Sequence, residues 1–182
     1  MDGITFIHCP EIVDLYYDWP QTNKLLNTRY HAVKKERELA LSNNDYMTYI
    51  FLTTKPYRLD AFLYILNNTN CPYEDLADIL LKVWMQIECP SINKNIWTNL
   101  FMHFKDSNVF QNTKRKLPKK ITVWRGGTSD GLSWTTDKEV AVKFANRFHD
   151  YKREIHCRHV HKSDVICFLE DRSESEIIIL NG

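Results

Sequence analysis

The apolar residues of this chain change their period about two thirds of the way along it, and that change limits the fold more than any single motif. Up to Lys105, apolar side chains recur at three- and four-residue spacings, as in YRLDAFLYIL (57–66) and YEDLADILLKVWMQIE (73–88). Such spacing lines up one face of a helix. TRYHAVKKERELAL (28–41) adds helix formers with mixed charge, and SINKNIWTNLFMHF begins at Ser91, a capping residue, and ends near Lys105. After TKRKLPKKITVW the pattern becomes short β-branched and aromatic runs: ITVWR, GLSWTT, REIHCRHV, DVICFLE and SEIIIL. These read as about five strands. One helix, DKEVAVKFANRF (137–148), is set among them, with Val140, Ala141, Phe144, Ala145 and Phe148 on one face and Thr136 to Glu139 as a capping box. The expected fold is therefore α+β, with an N-terminal helical region (1–113), a basic linker (114–120) and a core built on a mixed β-sheet (121–182). No strand–helix–strand unit repeats regularly and no G-x-G-x-x-G occurs, which argues against a doubly wound dinucleotide fold.

Composition narrows the setting. The 182 residues are 43% hydrophobic and 13% aromatic, enough for a packed core. A net charge of +1 gives no overall field that indicates a nucleic-acid partner. Five irregularly spaced cysteines without C-x-x-C fit reduced thiols in a cytoplasmic compartment. No secretory signal and no apolar run long enough to span a membrane are visible, so no membrane association is expected. The basic run Lys114, Arg115, Lys116, Lys119 and Lys120 matches a loose nuclear-import or polyanion-binding pattern, although a solvated linker accounts for it as well. In IHCRHVH, Cys157, His159 and His161 alternate onto one strand face. A fourth ligand is not evident, and no metal site is expected.

Three elements of the last third bear on chemistry. WRGG places Arg125 at a strand end before Gly126 and Gly127, a fork of donors beside backbone that a ligand can approach closely. LSWTTD puts Ser133 and Thr135 on one face of a strand, where hydroxyls can hold a carboxylate or a ribose. SESEIIIL puts Glu174 and Glu176 two residues apart before an apolar run, which in a continuous strand would place both carboxylates on one face. Each has an ordinary structural explanation alone: a surface arginine at a turn, a helix cap, a solvated strand end.

In this order, WRG (124–126), SWTTDKEVAVKFA (133–145) and ESE (174–176) resemble the arginine–serine–glutamate class of mono-ADP-ribosyltransferases. The resemblance covers 121–182 and departs from the family pattern at Trp134, where a threonine is usual, and at Thr135, which stands for a serine. It implies an ADP-ribosyltransferase-like core that uses NAD as co-substrate and a protein acceptor, with arginine favoured by the Glu-x-Glu form. It also implies an effector of bacterial-toxin or bacteriophage type, acting in the cytoplasm of a host. Under it Glu176 stabilises the oxocarbenium-like transition state of nicotinamide–ribose cleavage, Ser133 orients Glu176, and Glu174 serves the incoming acceptor. Arg125 would hold the NAD phosphates, Gly126 would face the nicotinamide amide, and Thr135, Phe148 and Tyr151 would complete the NAD site. Two rivals stand beside it: an NAD glycohydrolase using water, and a non-catalytic binding or inhibitory module on the same scaffold.

Overall fold

A computed structural model describes residues 20–87, 90–147, 154–170 and 175–180. Its chain divides into two compact units, Met1–Ile87 and Glu88–Gly182. Among the described residues the first holds α1 (Pro20–Ser42), α2 (Tyr46–Phe51), α3 (Arg58–Asn68) and α4 (Tyr73–Trp84). The sequence spacing explains which faces are covered. In α4, Leu76, Ala77, Ile79, Leu80, Leu81, Val83 and Trp84 are all buried, and α3 buries Leu59, Ala61, Phe62, Leu63 and Ile65. Asp45 caps α2 by accepting from the Thr48 amide at 3.1 Å, and this hydrogen bonding holds its carboxyl below the usual range. Arg58 at the start of α3 ties three segments together. It donates to the carbonyls of Thr53 and Phe51, each at 3.1 Å, and to the Gln86 side chain, with its guanidinium 4.7 Å over the Phe51 ring. Among the described residues, no helix is long and apolar enough to cross a membrane.

The second unit holds the sheet together with α5 (Lys94–Phe104), α6 (Asn108–Thr113) and α7 (Lys138–Ala145). Trp97, Leu100, Phe101 and Phe104 form the buried stripe of α5, and Phe101 meets Trp97 and Phe110 at ring-centroid distances of 6.0 and 6.1 Å. Strands β1 (Lys120–Gly126), β2 (Ser133–Thr135), β3 (Ile155–His161), β4 (Val165–Leu169) and β5 (Glu176–Ile179) lie in the order β3-β1-β2-β5-β4. Among the described residues every pairing is antiparallel, where a mixed sheet was expected. One face carries the core cluster of Leu117, Ile121, Val123, Trp134, Val165, Ile177 and Ile179.

Helices α5 and α6 group with the sheet, whereas the sequence pattern had set them with the helices before them. Side chains from the end of α6 explain this. Thr113 Oγ1 accepts from the Phe168 amide at 3.1 Å, and Lys114 Nζ donates to the Val165 carbonyl at 3.0 Å. They occupy backbone groups of β4, an edge strand that would otherwise present an open row of donors and acceptors. The basic segment 114–120 therefore runs within this unit.

Helix α7 is shorter than the apolar stripe suggested, and its cap is Asp137 rather than Thr136. The Asp137 carboxylate accepts from the Glu139 amide at 2.8 Å, and Thr135 Oγ1 accepts from the Asp137 amide at 3.0 Å. The helix lies so close to β1 that a Cβ on Gly126 would sit 2.2 Å from the Ala141 carbonyl oxygen and 2.5 Å from the Ala145 amide nitrogen. Both obstacles are backbone, so no side-chain rotation relieves them. Gly126→Ala is expected to lower stability by about 2 kcal/mol or more, measured by urea unfolding of the full chain. An unchanged midpoint would mean that α7 can move away from β1 at little cost.

Candidate active site

Strand order brings two of the three motifs side by side. Thr135 is the centre of a three-strand rung, facing Trp124 of β1 on one side and Glu176 of β5 on the other. Ser133 faces Ile178. Cross-strand partners present their side chains to the same side of a sheet, and alternation returns that side every second residue. Ser133, Thr135 and Glu176 therefore share one face, while Trp134 and Ile177 point to the other and join the core. Ser133 and Glu176 are half-buried, whereas Thr135 is only 7% exposed. With its hydroxyl accepting from Asp137, Thr135 holds the turn from β2 into α7.

Arg125 reaches the same end of the sheet by another route. Alternation along β1 puts it with Ile121 and Val123, on the face opposite Glu176. Its guanidinium folds against Gly131, donating from Nε to the Thr128 carbonyl at 2.7 Å and from Nη1 to the Ser133 carbonyl. Burial pushes its pKa below the ordinary arginine value, while Asp130 and Glu176 act in the opposite direction. Glu176 thus lies within electrostatic range of Arg125, although the two project from different faces.

Arg125 has companions in this task. His156 Nε2 lies 2.8 Å from the Gly127 carbonyl, Arg158 donates to the Ser129 carbonyl at 3.1 Å, and the Trp134 indole N–H donates to the Gly131 carbonyl at 3.0 Å. The Arg158 guanidinium also stands 4.6 Å over the Trp134 ring. Five carbonyls between Gly127 and Ser133 are thereby held by four side chains, and Gly127 takes φ 116°, which a side chain would resist. The departure at Trp134 now has a local explanation: its ring fills the core and its N–H holds the loop. His156 and Arg158 carry no signal in the sequence, because their function comes from the β1–β3 register, which sets Arg125 opposite His156 and Val123 opposite Arg158.

Of the two closing glutamates, only Glu176 lies among the described residues. Strand β5 begins at Glu176, and Ser175 before it adopts φ 45°, outside the extended region. Glu174, Phe148 and Tyr151 lie outside the described residues. Among the described residues, no group of three or more His, Cys, Asp or Glu side chains is arranged to hold a metal ion. Cys167 is fully buried in β4, and desolvation first, then Glu176, raises its thiol pKa well above normal, leaving it protonated at neutral pH.

No family model, curated protein or solved structure matches the chain.

The loop clasp can be tested directly. A lysine at 125 keeps the charge but cannot address two carbonyls with a rigid fork. Arg125→Lys is expected to cost about 1.5–3 kcal/mol in urea unfolding, the range for hydrogen bonds made by charged groups. A change within error of zero would show that the remaining contacts hold the loop unaided.

Proposed function

We propose that the chain is a mono-ADP-ribosyltransferase that transfers ADP-ribose from NAD to a protein side chain, arginine in the first instance, and releases nicotinamide. The observation that carries this is the β2–β5 pairing, which sets a half-buried glutamate on the same sheet face as Ser133, from 43 residues away in sequence. The donor set suits NAD. A carboxylate can oppose the positive charge that develops on ribose as the glycosidic bond breaks. Glu176 has this role, and Ser133 on the neighbouring strand orients it. Gly126, at the end of β1, lies against α7, whose backbone fills the space a side chain would need. Arg125 contributes by shaping the Gly127–Ser133 segment, where its Nε and Nη1 each donate to a carbonyl.

A second function, NAD hydrolysis, is favoured by one feature. Strand β5 spans Glu176–Ile179, and Ser175 before it takes φ 45° rather than an extended conformation. Transfer to arginine needs a group that orients the guanidinium and accepts its proton, whereas water needs less help.

Two substitutions test these readings. Glu176→Gln preserves shape and removes charge, so nicotinamide release should fall at least about a hundredfold with NAD binding largely kept. The check is chromatography of nicotinamide beside calorimetric titration with NAD; full activity would remove Glu176 from the mechanism. Glu174→Gln should abolish ADP-ribosylation of protein, followed by mass spectrometry of modified peptides in a lysate, while NAD hydrolysis continues. Equal loss of both activities would contradict a role for Glu174 confined to the acceptor.

A further inference from the structure

The basic segment 114–120 takes no part in the site above, yet the fold gives it a definite place. The Lys162 amide donates to the Lys119 carbonyl at 2.9 Å, and Lys162 Nζ donates to the Arg115 carbonyl at 2.8 Å. Lys120 stands opposite His161 in the β1–β3 ladder. Arg115, Lys116, Lys119 and Lys120 are exposed and Lys162 is half-buried, so five cations gather at one end of β3 in a chain whose net charge is only +1. Crowding of positive charge extends inward to Lys114. Burial is the main cause of its lowered pKa, and Lys162 and Lys105 push the same way against Cys167 and Asp106. Asp164 is the acid nearest in the chain, and its carboxylate accepts from the His161 amide and the Ser163 hydroxyl.

The adjoining sheet face is open and carries rings. The rungs Lys120/His161 and Thr122/His159 present their side chains to one side, and both histidines are exposed. Thr122 Oγ1 lies 3.1 Å from His159 Nδ1, which sets the orientation of that ring. Positions 159 and 161 recur at roughly 7 Å along the strand, a spacing comparable to that of successive bases in an extended single strand. Strand β3 is an edge of the sheet, so the strip is bordered on one side by open backbone.

We propose that this end of the β1–β3 face binds single-stranded nucleic acid, with phosphates on the Arg115–Lys120 and Lys162 cluster and bases against His159 and His161. A phosphate backbone with unpaired bases uses both features, charge and rings. An acidic polypeptide would use the charge alone. The surface lies at the opposite end of β1 from Gly126, so it does not depend on the NAD chemistry proposed above.

The test is fluorescence anisotropy of the full chain with labelled single strands of about twelve nucleotides, a length within the range such surfaces cover. RNA and DNA versions are both used, and binding of either supports the site. Affinity should fall with salt at a logarithmic slope of about −3, as expected for four or five phosphate contacts on a single strand. Lys119→Gln with Lys120→Gln should weaken binding by about tenfold or more and make the slope shallower. His159→Ala with His161→Ala should weaken binding by about tenfold with the slope retained. Circular dichroism checks folding, and the single variants replace either pair if it unfolds. Glu176→Gln should bind as the parent does. No saturable binding at low salt would overturn the proposal, as would unchanged affinity in the histidine variant or equal competition by polyglutamate of matched charge.

Discussion

The rung Trp124–Thr135–Glu176 is the constraint on which the rest of the sheet depends. Strand β2 has only three residues, yet it joins β1 and β3 to β5 and β4. A one-residue slip against β5 would turn Ile177 out of the core and bring Glu176 into it. The cost of burying an unpaired carboxylate and of exposing a fully buried isoleucine both oppose that slip. The register that packs the core is thus the register that sets Glu176 opposite Thr135, on the sheet face that also carries Ser133. Stability and the candidate chemistry draw on the same hydrogen-bond ladder.

Around that rung, the Gly127–Ser133 loop is held from the core side of the sheet. Arg125, His156, Arg158 and Trp134 come from three strands and converge on five carbonyls. A short loop next to a candidate site gains geometric definition from such contacts, since each satisfied carbonyl removes an alternative conformation. Arg125 illustrates how one residue type can serve two purposes. Its rigid fork suits a phosphate in the abstract, and in this fold it is matched to two backbone oxygens.

Much of the fold was legible in the sequence because periodicity reports burial. Leu76 through Trp84 and Trp97 through Phe104 show helical spacing, and both stretches are helices with those residues inside. The strand runs were equally plain, and so was the inserted helix. What the pattern could not supply was tertiary pairing. The grouping of α5 and α6 with the sheet rests on contacts between Thr113 and Phe168, and between Lys114 and Val165, more than fifty residues apart. The choice of Asp137 over Thr136 as cap depended on where β2 releases the chain, since Thr136 still pairs through its amide with the Ser175 carbonyl. For the site, Ser133 and Glu176 were legible as motif positions, and their common face followed from the register. The positive φ at Ser175, just before β5, is a backbone feature that residue type does not announce.

The most direct test of this account is NMR titration of the ¹⁵N-labelled full chain with NAD. The account predicts saturable shifts at the amides of Gly126, Ser133, Thr135 and Glu176, with the far end of the β1–β3 ladder at Lys120 and His161 unmoved. Absence of saturable shifts, or shifts confined to residues away from the β1, β2 and β5 ends, would contradict it.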